Sequence, residues 1–575
     1  MKISQESYIQ RTLEARNAIA QVLKDPQVQD LCKRVRELDP TSKDPHKQWR
    51  LDHPLVKTAA RVLIKKQWEA MNKAPVATVN TALGFNFYDL RGPAYFLFPL
   101  LTPFIQMIPK KGRVNAGVGT AAHWKATRNP NSTYVYAGVS EGQRNALGTP
   151  NMIDYLATYK ELGMEGGNTF TSQWAGEGYT DNLADEHFRN LARLRLQEEM
   201  ITLLGNSGTA AGNNGFVLGM PVTPTSSLET SDTYNSPATA GVGSATNVSA
   251  AVVALTGMGM NPGGQGGYQA PPTVTGGLTP TSTRQNADGS SLVVNGGTSQ
   301  ISNVSTVRLT NTTAKWVKFV TTPIAGAVAY AWFVDIIGSS GVIGNAKLTA
   351  ITNAPVFVYG GQTQGTQLGN AAGLDTDYSY QLTDFDGLLT YAFKNGRWVD
   401  MAAGSFTPLG NGQVSEVEAD LLYIWENFQA QPDAIWCASD VRAALDNAVI
   451  FSQTGTNSYI FQYTKDAQGA LLGGFLVSAY KSKFSINPEG GAAIPIRLHP
   501  MLPSGTMYYD INTNPYPHSR VPAVREFLTQ RDYYSIEWPI VTREWTYGTY
   551  IHEVLAHYMP WISAVRTGIG RFVAP

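Results

Sequence analysis

The 575 residues predict an α+β chain with an all-β insertion, and three observations carry that prediction. One stretch, 183–204, has strong helical periodicity; short alternating segments crowd 316–359; long strand-like segments fill the last 70 residues. A prior of ~150 residues per domain gives three or four units. Hydrophobic residues make up 43% and charged residues 15%, against a usual ~25% charged, so the chain should fold rather than stay disordered. Lys+Arg and Asp+Glu are both 44, for a net charge of zero. That balance excludes a chain-wide basic surface for nucleic acid and leaves little repulsion between copies. Cys32 and Cys437 are too few for a disulfide framework or a thiolate metal site.

Residues 1–73 carry 15 Lys/Arg and 9 Asp/Glu. Their apolar positions recur at helical spacing (Ile19, Val22, Leu23; Leu31, Val35, Leu38), and a second helical stretch, 55–71, follows Pro54. A solvated helical extension is expected, with an arm facing polyanion or a neighbouring subunit as the alternative. Residues 1–7 lack the apolar stretch of a secretory signal, so synthesis in a reducing cytoplasm is expected. The most apolar run, 94–108, is broken by Pro99 and Pro103 and is too short for a bilayer, which needs ~20 residues; it reads as a buried extended segment.

From 74 to 182 Pro and Gly punctuate extended segments, among them Ser132-Thr133-Tyr134-Val135-Tyr136-Ala137-Gly138-Val139. So long a stretch with few helical signals reads as an arm and a long loop that pack on other surfaces. At 183–204 apolar Leu183, Phe188, Leu191, Leu194, Ile201 and Leu204 alternate with Arg189, Arg193, Glu198 and Glu199, a helix of ~33 Å. It ends at Leu203-Leu204-Gly205-Asn206-Ser207-Gly208, where a glycine can take a left-handed cap. Residues 222–404 differ in composition: no charged side chain occurs from 233 to 283, and after a loop-like stretch come strand-like runs at 316–320, 329–334, 347–351 and 355–359. That spacing suggests an inserted β-sandwich. Beyond 405 an amphipathic helix follows Val414, with Ser415-Glu416-Val417-Glu418 as a capping box. Strand 434–437, a short helix from Ser439 and long strands at 507–511, 533–538 and 546–558 complete the chain.

Catalytic motifs fail on spacing. His552-Glu553-Val554-Leu555-Ala556-His557 sets its histidines five apart rather than four, in strand context. Gly117-Val118-Gly119-Thr120-Ala121-Ala122 opens no helix to receive a phosphate. Gly263-Gly264-Gln265-Gly266-Gly267 lacks the Lys-Ser/Thr of a phosphate loop and reads as linker. Asp375, Asp377, Asp384 and Asp386 are the best acidic cluster, but break the calcium-loop pattern and read as surface loops. No nucleophile elbow occurs, and neither an enzyme nor a cofactor is expected.

The order of arm, extended loop, long helix, Gly-rich stop and α+β unit resembles the major capsid protein of tailed double-stranded DNA bacteriophages, the Hong Kong 97-type fold. Trp124-Lys125-Ala126-Thr127 and Val139-Ser140-Glu141-Gly142 fall where that family has its extended loop. The run 198–208 resembles the end of its spine helix, followed by Gly215-Phe216-Val217-Leu218-Gly219 as the next strand. The segment 434–441 is similar to a strand-then-helix step of its axial domain, and 473–477 and 505–509 to its later turn and strand. The likeness covers roughly 75–221 and 405–575, and its weight lies in the order of motifs. It implies an N-arm (74–114), an extended loop (115–182), the spine helix with peripheral domain (183–221), and an axial domain with C-terminal peripheral strands (405–575); the helical N-terminal region (1–73) and the insert (222–404), whose Trp316 to Val334 resembles an immunoglobulin- or fibronectin-type strand pair, depart from the family.

The implied function is a self-assembling icosahedral head shell, built of hexamers and pentamers in the host cytoplasm and enclosing the phage genome. Packaged double-stranded DNA would lie non-specifically on its inner face, with portal, scaffold and decoration proteins as further partners and no membrane. Some family members cross-link a lysine to an asparagine; no such pair is assigned here. The physics points the same way, since an extended loop cannot satisfy its backbone polar groups within its own chain, and lying across a neighbour solves this. Expected intersubunit contacts are Trp124, Tyr134, Tyr136, Glu141, Arg144, Trp174, Arg189 and Arg193. The alternatives are another virion protein, such as a tail-tube or sheath component, and a carbohydrate-active enzyme, which would need a carboxylate pair.

Overall fold

The computed structural model describes residues 102–112, 119–129, 135–176, 181–210, 214–229, 247–260, 271–308, 316–336, 343–410, 412–451, 477–484, 493–518 and 521–570, with isolated positions between 26 and 61. Residues 1–93 form one unit and 94–575 another. In the first, Pro26, Gln29, Asp30, Lys33, Arg34, Lys57, Thr58 and Arg61 are helical, and Arg34 pairs with Asp30 one turn away at 4.0 Å. The rest of the predicted N-terminal helices lies outside the described residues.

The second unit is organised around one long helix. It has α1 (Pro103–Met107), β1 (Lys110–Lys111), β2 (Ala121–Asn129), β3 (Asn151–Thr158), β4 (Lys160–Thr169), α2 (Phe170–Gly176) and α3 (Asn182–Leu204). Near the C-terminus come β5 (Arg525–Glu537) and β6 (Glu544–His557), which with β1 and β4 form a four-stranded sheet in the order β1-β5-β6-β4. β4 pairs with β6 over ten residues, from Glu544 opposite Thr169 to Glu553 opposite Lys160. α3 packs on this sheet. The approach is close because β4 carries Gly166, where a Cβ would collide with the Asn190 side chain.

Asp181 caps α3, accepting from the Leu183 and Ala184 N–H groups at 3.2 Å each. From Glu198 to Leu204 every residue is buried. Helices normally present carboxylates to water, and Glu198 and Glu199 were expected on the polar side. Both are instead fully buried, because each is saturated by partners from other elements. Glu199 accepts the Phe104 and Ile105 N–H groups at 2.8 and 2.9 Å, capping α1 from outside. His499 Nδ1 accepts the Met501 N–H at 3.1 Å, so its Nε2 carries the proton and donates to Glu199 at 3.0 Å. Glu198 accepts from the Lys110 ammonium at 2.6 Å and from the Tyr533 hydroxyl.

Two local readings are corrected here. The 94–108 run is not extended where described: Pro103 opens α1, since a ring-fixed φ suits a first helical turn. The stop after α3 is not a left-handed cap, because Gly205 has φ −55° and ψ 141°. Glycine is needed there for space, as a Cβ would collide with the Phe385 carbonyl oxygen. The next residues fasten the helix end to 379–390: Asn206 Nδ2 donates to the Phe216 and Ser379 carbonyls at 2.9 Å, Ser207 donates twice to Asp386, and Thr390 donates to the Gly205 carbonyl at 2.6 Å.

A six-stranded mixed sheet holds, in order, Arg397–Asp400, Ala564–Thr567, Met507–Asp510, Ala434–Cys437, Ala493–Leu498 and Ala479–Lys481. The helices Leu388–Asn395, Ser415–Phe428 and Ser439–Phe451 share its core. The second is tied down by Asp420, which accepts from Arg566 at 2.8 and 2.9 Å and from Arg397 at 2.9 Å. The capping box is corrected: Val414 precedes the helix with no side-chain cap. Glu418 instead accepts from the Tyr480 hydroxyl at 2.7 Å, and Glu416 from the Thr407 N–H at 2.9 Å.

In the sequence between α3 and the helix Leu388–Asn395 lie the strands of two further sheets, which stack on one another. One has Val356–Tyr359, Trp316–Val320 and Thr225–Glu229; the other has Lys347–Thr352, Ala329–Asp335, Asn247–Leu255 and Ser305–Arg308. Val252, Ala254, Tyr330, Trp332, Phe319 and Phe357 fill the space between them. Val253, Leu255, Ala331, Phe333, Leu348 and Leu374 form a second apolar layer on the opposite face. Strand Asn247–Leu255 lies inside the segment read as loop-like, and its uninterrupted apolar run reflects burial on both faces. The last sandwich strand ends at Tyr359, whereas Leu388–Asn395 and Arg397–Asp400 belong to the six-stranded layer. Among the described residues no helix is long and apolar enough to cross a membrane.

Replacing Glu199 by Ala strands two buried N–H groups and His499 at once. We expect Glu199→Ala to lower unfolding free energy by about 3–5 kcal/mol, and Glu199→Gln, which keeps one acceptor, by roughly half as much, measured by denaturant titration. Equal stability of all three proteins would reject the capping role.

Candidate assembly surface

β2 and β3 form a hairpin running from Ala121 opposite Thr158 to Asn129 opposite Asn151. Alternation puts Ala122, Trp124, Ala126, Tyr155 and Ala157 on one face, and all five are buried in the chain's own core. Trp124 is 5% exposed, stacks on Tyr155 at 5.9 Å and donates its indole N–H to the His557 carbonyl at 3.1 Å. As an expected intersubunit contact Trp124 is therefore corrected: its whole ring is used internally. The expectation that the extended loop gains burial only across a neighbour is corrected with it for β2, β3 and β4, which are already paired within the chain.

The far part of the excursion is different. Residues 135–150 form no helix or strand, which also corrects the strand expected through Val139. Ser132, Thr133 and Tyr134 lie outside the described residues. Every described side chain from Ala137 to Pro150 is exposed, including Glu141 and Arg144. Tyr136 and Leu147 are 85% and 87% exposed. Local bonds shape the segment without burying it: Gln143 N–H to Ser140 O at 3.1 Å, Asn145 Nδ2 to Tyr136 O at 2.8 Å, and Ala146 N–H to Asn145 Oδ1 at 2.8 Å.

A second exposed apolar area lies where α2 meets the β5–β6 turn. Trp174 is 60% exposed. Phe170, on the same short helix, packs on Trp545 at 4.2 Å and donates its N–H to the Arg543 carbonyl at 3.2 Å. Trp538, Ile540 and Val541 of that turn are exposed too. Sequence reasoning missed them, although Trp538-Pro539-Ile540-Val541 is an apolar run at a turn with no local use for it. Arg189 and Arg193 lie on the outer side of α3, where both pair with Glu186, at 3.4 and 2.9 Å. The structure thus brings Tyr136, Glu141 and Arg144 together on one segment and Trp174 with the hairpin turn. It leaves Arg189 and Arg193 in a separate surface ion cluster.

Solved phage capsids resemble this chain. The capsid of a native GTA particle is 9% identical, with 87% of this chain and 100% of that chain covered at a TM-score of 0.34. The cyanophage A-1(L) capsid asymmetric unit is 9% identical over 85% and 98%, at 0.37. A Mycobacterium phage Adephagia structure is 6% identical over 86% and 98%, at 0.34. No family model matches the chain, and no curated protein matches it.

Chemistry-bearing groups elsewhere have structural duties. His552 faces the Tyr534 hydroxyl at 2.7 Å and Glu161 at 3.2 Å. His557, on the other face of β6, is buried, and burial followed by Arg525 pushes its pKa down to about 3. Burial pushes the Cys437 thiol up to about 12, with its Sγ 3.6 Å from the Arg497 carbonyl. The acidic cluster is a surface loop only in part, with Asp375 exposed. Asp377 accepts from the Gly219 N–H at 2.6 Å, and Asp384 and Asp386 are buried. Asp384 borders a cavity of about 240 Å³ between β4, α3 and the hairpin Thr281–Asn295. Burial raises its pKa to about 7 against the pull of Lys160.

A raised carboxyl pKa gives stability that is complete below the unfolded value near ~4 and lost as pH rises through the folded value of about 7. Asp384→Asn should therefore gain on the native chain as pH climbs through that window, by roughly 2–4 kcal/mol at mildly alkaline pH. Thermal melts of both proteins across the window test this. A gap independent of pH would show that Asp384 does not titrate there.

Proposed function

We propose that the chain is the major capsid protein of a tailed double-stranded DNA bacteriophage, a Hong Kong 97-type shell subunit that works by assembly and not by catalysis. The observation that carries this reading is the 135–150 segment: exposed backbone and exposed Tyr136, Val139 and Leu147, held out on a hairpin whose base is rigidly packed. A chain that spends so much order on presenting an unburied segment has its burial elsewhere, on a second copy. Because the segment and its receiving surface are different patches, the contact is head-to-tail and closes into rings when the subunit angle permits. In this reading the rings are hexamers and pentamers of one chain, and the shell they build encloses DNA.

The sandwich sheets form the immunoglobulin- or fibronectin-like insert and project from the shell's outer face. Support comes from where the chain enters and leaves. The Gly219 N–H meets Asp377 at 2.6 Å and the Leu218 N–H meets Ser379 Oγ at 3.0 Å, so the segment between them can be a graft on the surrounding fold.

Replacing 131–149 by a short turn should leave helix content and melting nearly unchanged while abolishing closed particles in electron micrographs. Normal shells would reject the reading, and tubes from the unaltered chain would favour a tail component. Joining Gly219 to Asp377 through a short linker should leave assembly competent, with lower stability because Met258 and Val328 leave the core they share with the long helix. An unfolded product would make the insert part of the core.

A further inference from the structure

We propose that Glu553 keeps a proton beside Glu198 and that the two, with Lys110, form a latch that holds segment 102–111 on the long helix and opens when that proton is lost. The latch lies apart from the assembly surface and does not rest on the functional reading.

Lys110 Nζ sits 2.6 Å from Glu198 and 3.2 Å from Glu553, and both carboxyl groups are fully buried. One ammonium thus faces two carboxylates in a dry site. The Tyr533 hydroxyl donates to the second oxygen of Glu198, and Glu553 Oε1 has no hydrogen-bond partner. With both acids ionised the site would hold one positive and two negative charges. A single retained proton makes it neutral.

Among the described residues, Lys110 is the cation that pairs with the two acids. From β5, Tyr533 is held in its protonated form by burial and by Glu198, and Arg195 of α3 faces that phenol. From β4, Lys160 stands opposite Glu553 in register but gives its ammonium to the Leu382 carbonyl at 2.6 Å. From β1, Lys111 pairs outward with Glu526 at 3.7 Å, and Glu199 is committed to α1 and His499. From β6, His552 contacts Glu161 and Tyr534. Burial first, then Glu198, drives the Glu553 pKa well above the carboxylate range, with Lys110 opposing. Burial alone would lower Lys110, but Glu553 and Glu198 outweigh it and its pKa is raised.

The transfer is from the Glu553 carboxyl to a solvent base, with no other bond broken. A raised carboxyl pKa means that the latch is strongest on the acid side and weakens as pH rises through the folded value. What it releases is defined by the bonds Lys110 supports: β1 beside β5, Phe527 N–H to Pro109 O at 2.9 Å, and Thr529 Oγ1 to Lys111 O at 3.3 Å.

Glu553→Gln fixes the neutral form. At neutral pH, infrared difference spectra between the native chain and Glu553→Gln should show a carboxylic-acid C=O band in the native chain only. Hydrogen exchange of 102–111, corrected for the intrinsic pH dependence, should lose protection by about tenfold or more on alkaline titration of the native chain, and stay flat in Glu553→Gln. Should that variant fail to fold, Glu198→Gln also removes the second negative charge and should flatten the same profile. Absence of the band, or equal alkaline profiles in native and variant chains, would overturn the latch whether or not the chain assembles.

Discussion

The described fold depends on two adjacent buried glutamates near the end of the long helix. Glu199 caps α1 and accepts from His499; Glu198 holds Lys110 and Tyr533. Through one helical turn, the strap 102–111, the four-stranded sheet and the six-stranded sheet are fixed to a common rod. Buried carboxylates are a poor source of raw stability, because desolvation cancels much of their attraction. Their value here is geometric. Apolar packing alone would tolerate sliding of α1 along the core, whereas two N–H groups and an imidazole converging on one carboxylate admit a single placement.

That arrangement shows why some of the structure was legible in the sequence and some was not. The long helix and the helix 415–428 announce themselves by periodicity, since each has a wet side and a dry side, whereas strand 434–437 is buried throughout and stands out by its apolar content. Strand Asn247–Leu255 has no periodicity, because its sheet is covered on both sides, and its Ala/Val run is indistinguishable from linker composition by alternation. Glu198 and Glu199 fit the pattern of a solvated face, and only partners 88 to 335 residues away make them interior. Proline was read as an interruption at 103, where it begins a helix whose cap comes from Glu199.

The surface was legible in a coarser way. That 115–182 is largely extended follows from its composition, but which of its residues stay unburied does not. Trp124 looks like a contact because a tryptophan in an extended segment must bury somewhere; the register opposite Tyr155 sends it inward. Tyr136 and Leu147, past the last paired residues, have no such register to turn them in. The exposed Trp538, Ile540 and Val541 were visible as an apolar run, yet their exposure depends on the β5–β6 turn projecting beyond Phe170.

The pairing of β2 with β3 also bears on how such a segment can find a partner. Fixing a residue's backbone costs about 1–2 kcal/mol, so an unanchored loop of this length would oppose any contact that ordered it. The hairpin closes the excursion at Asn129 and Asn151 and points it outward before any neighbour arrives, and Asn145 pins its interior to the Tyr136 carbonyl. Part of the ordering is therefore complete within the monomer, supported by the burial of Trp124 and Tyr155. A contact made by the remaining exposed side chains needs to offset only the residual freedom of the tip. In the proposed assembly, the strength of an intersubunit clasp would then lie partly in residues that never touch the neighbour.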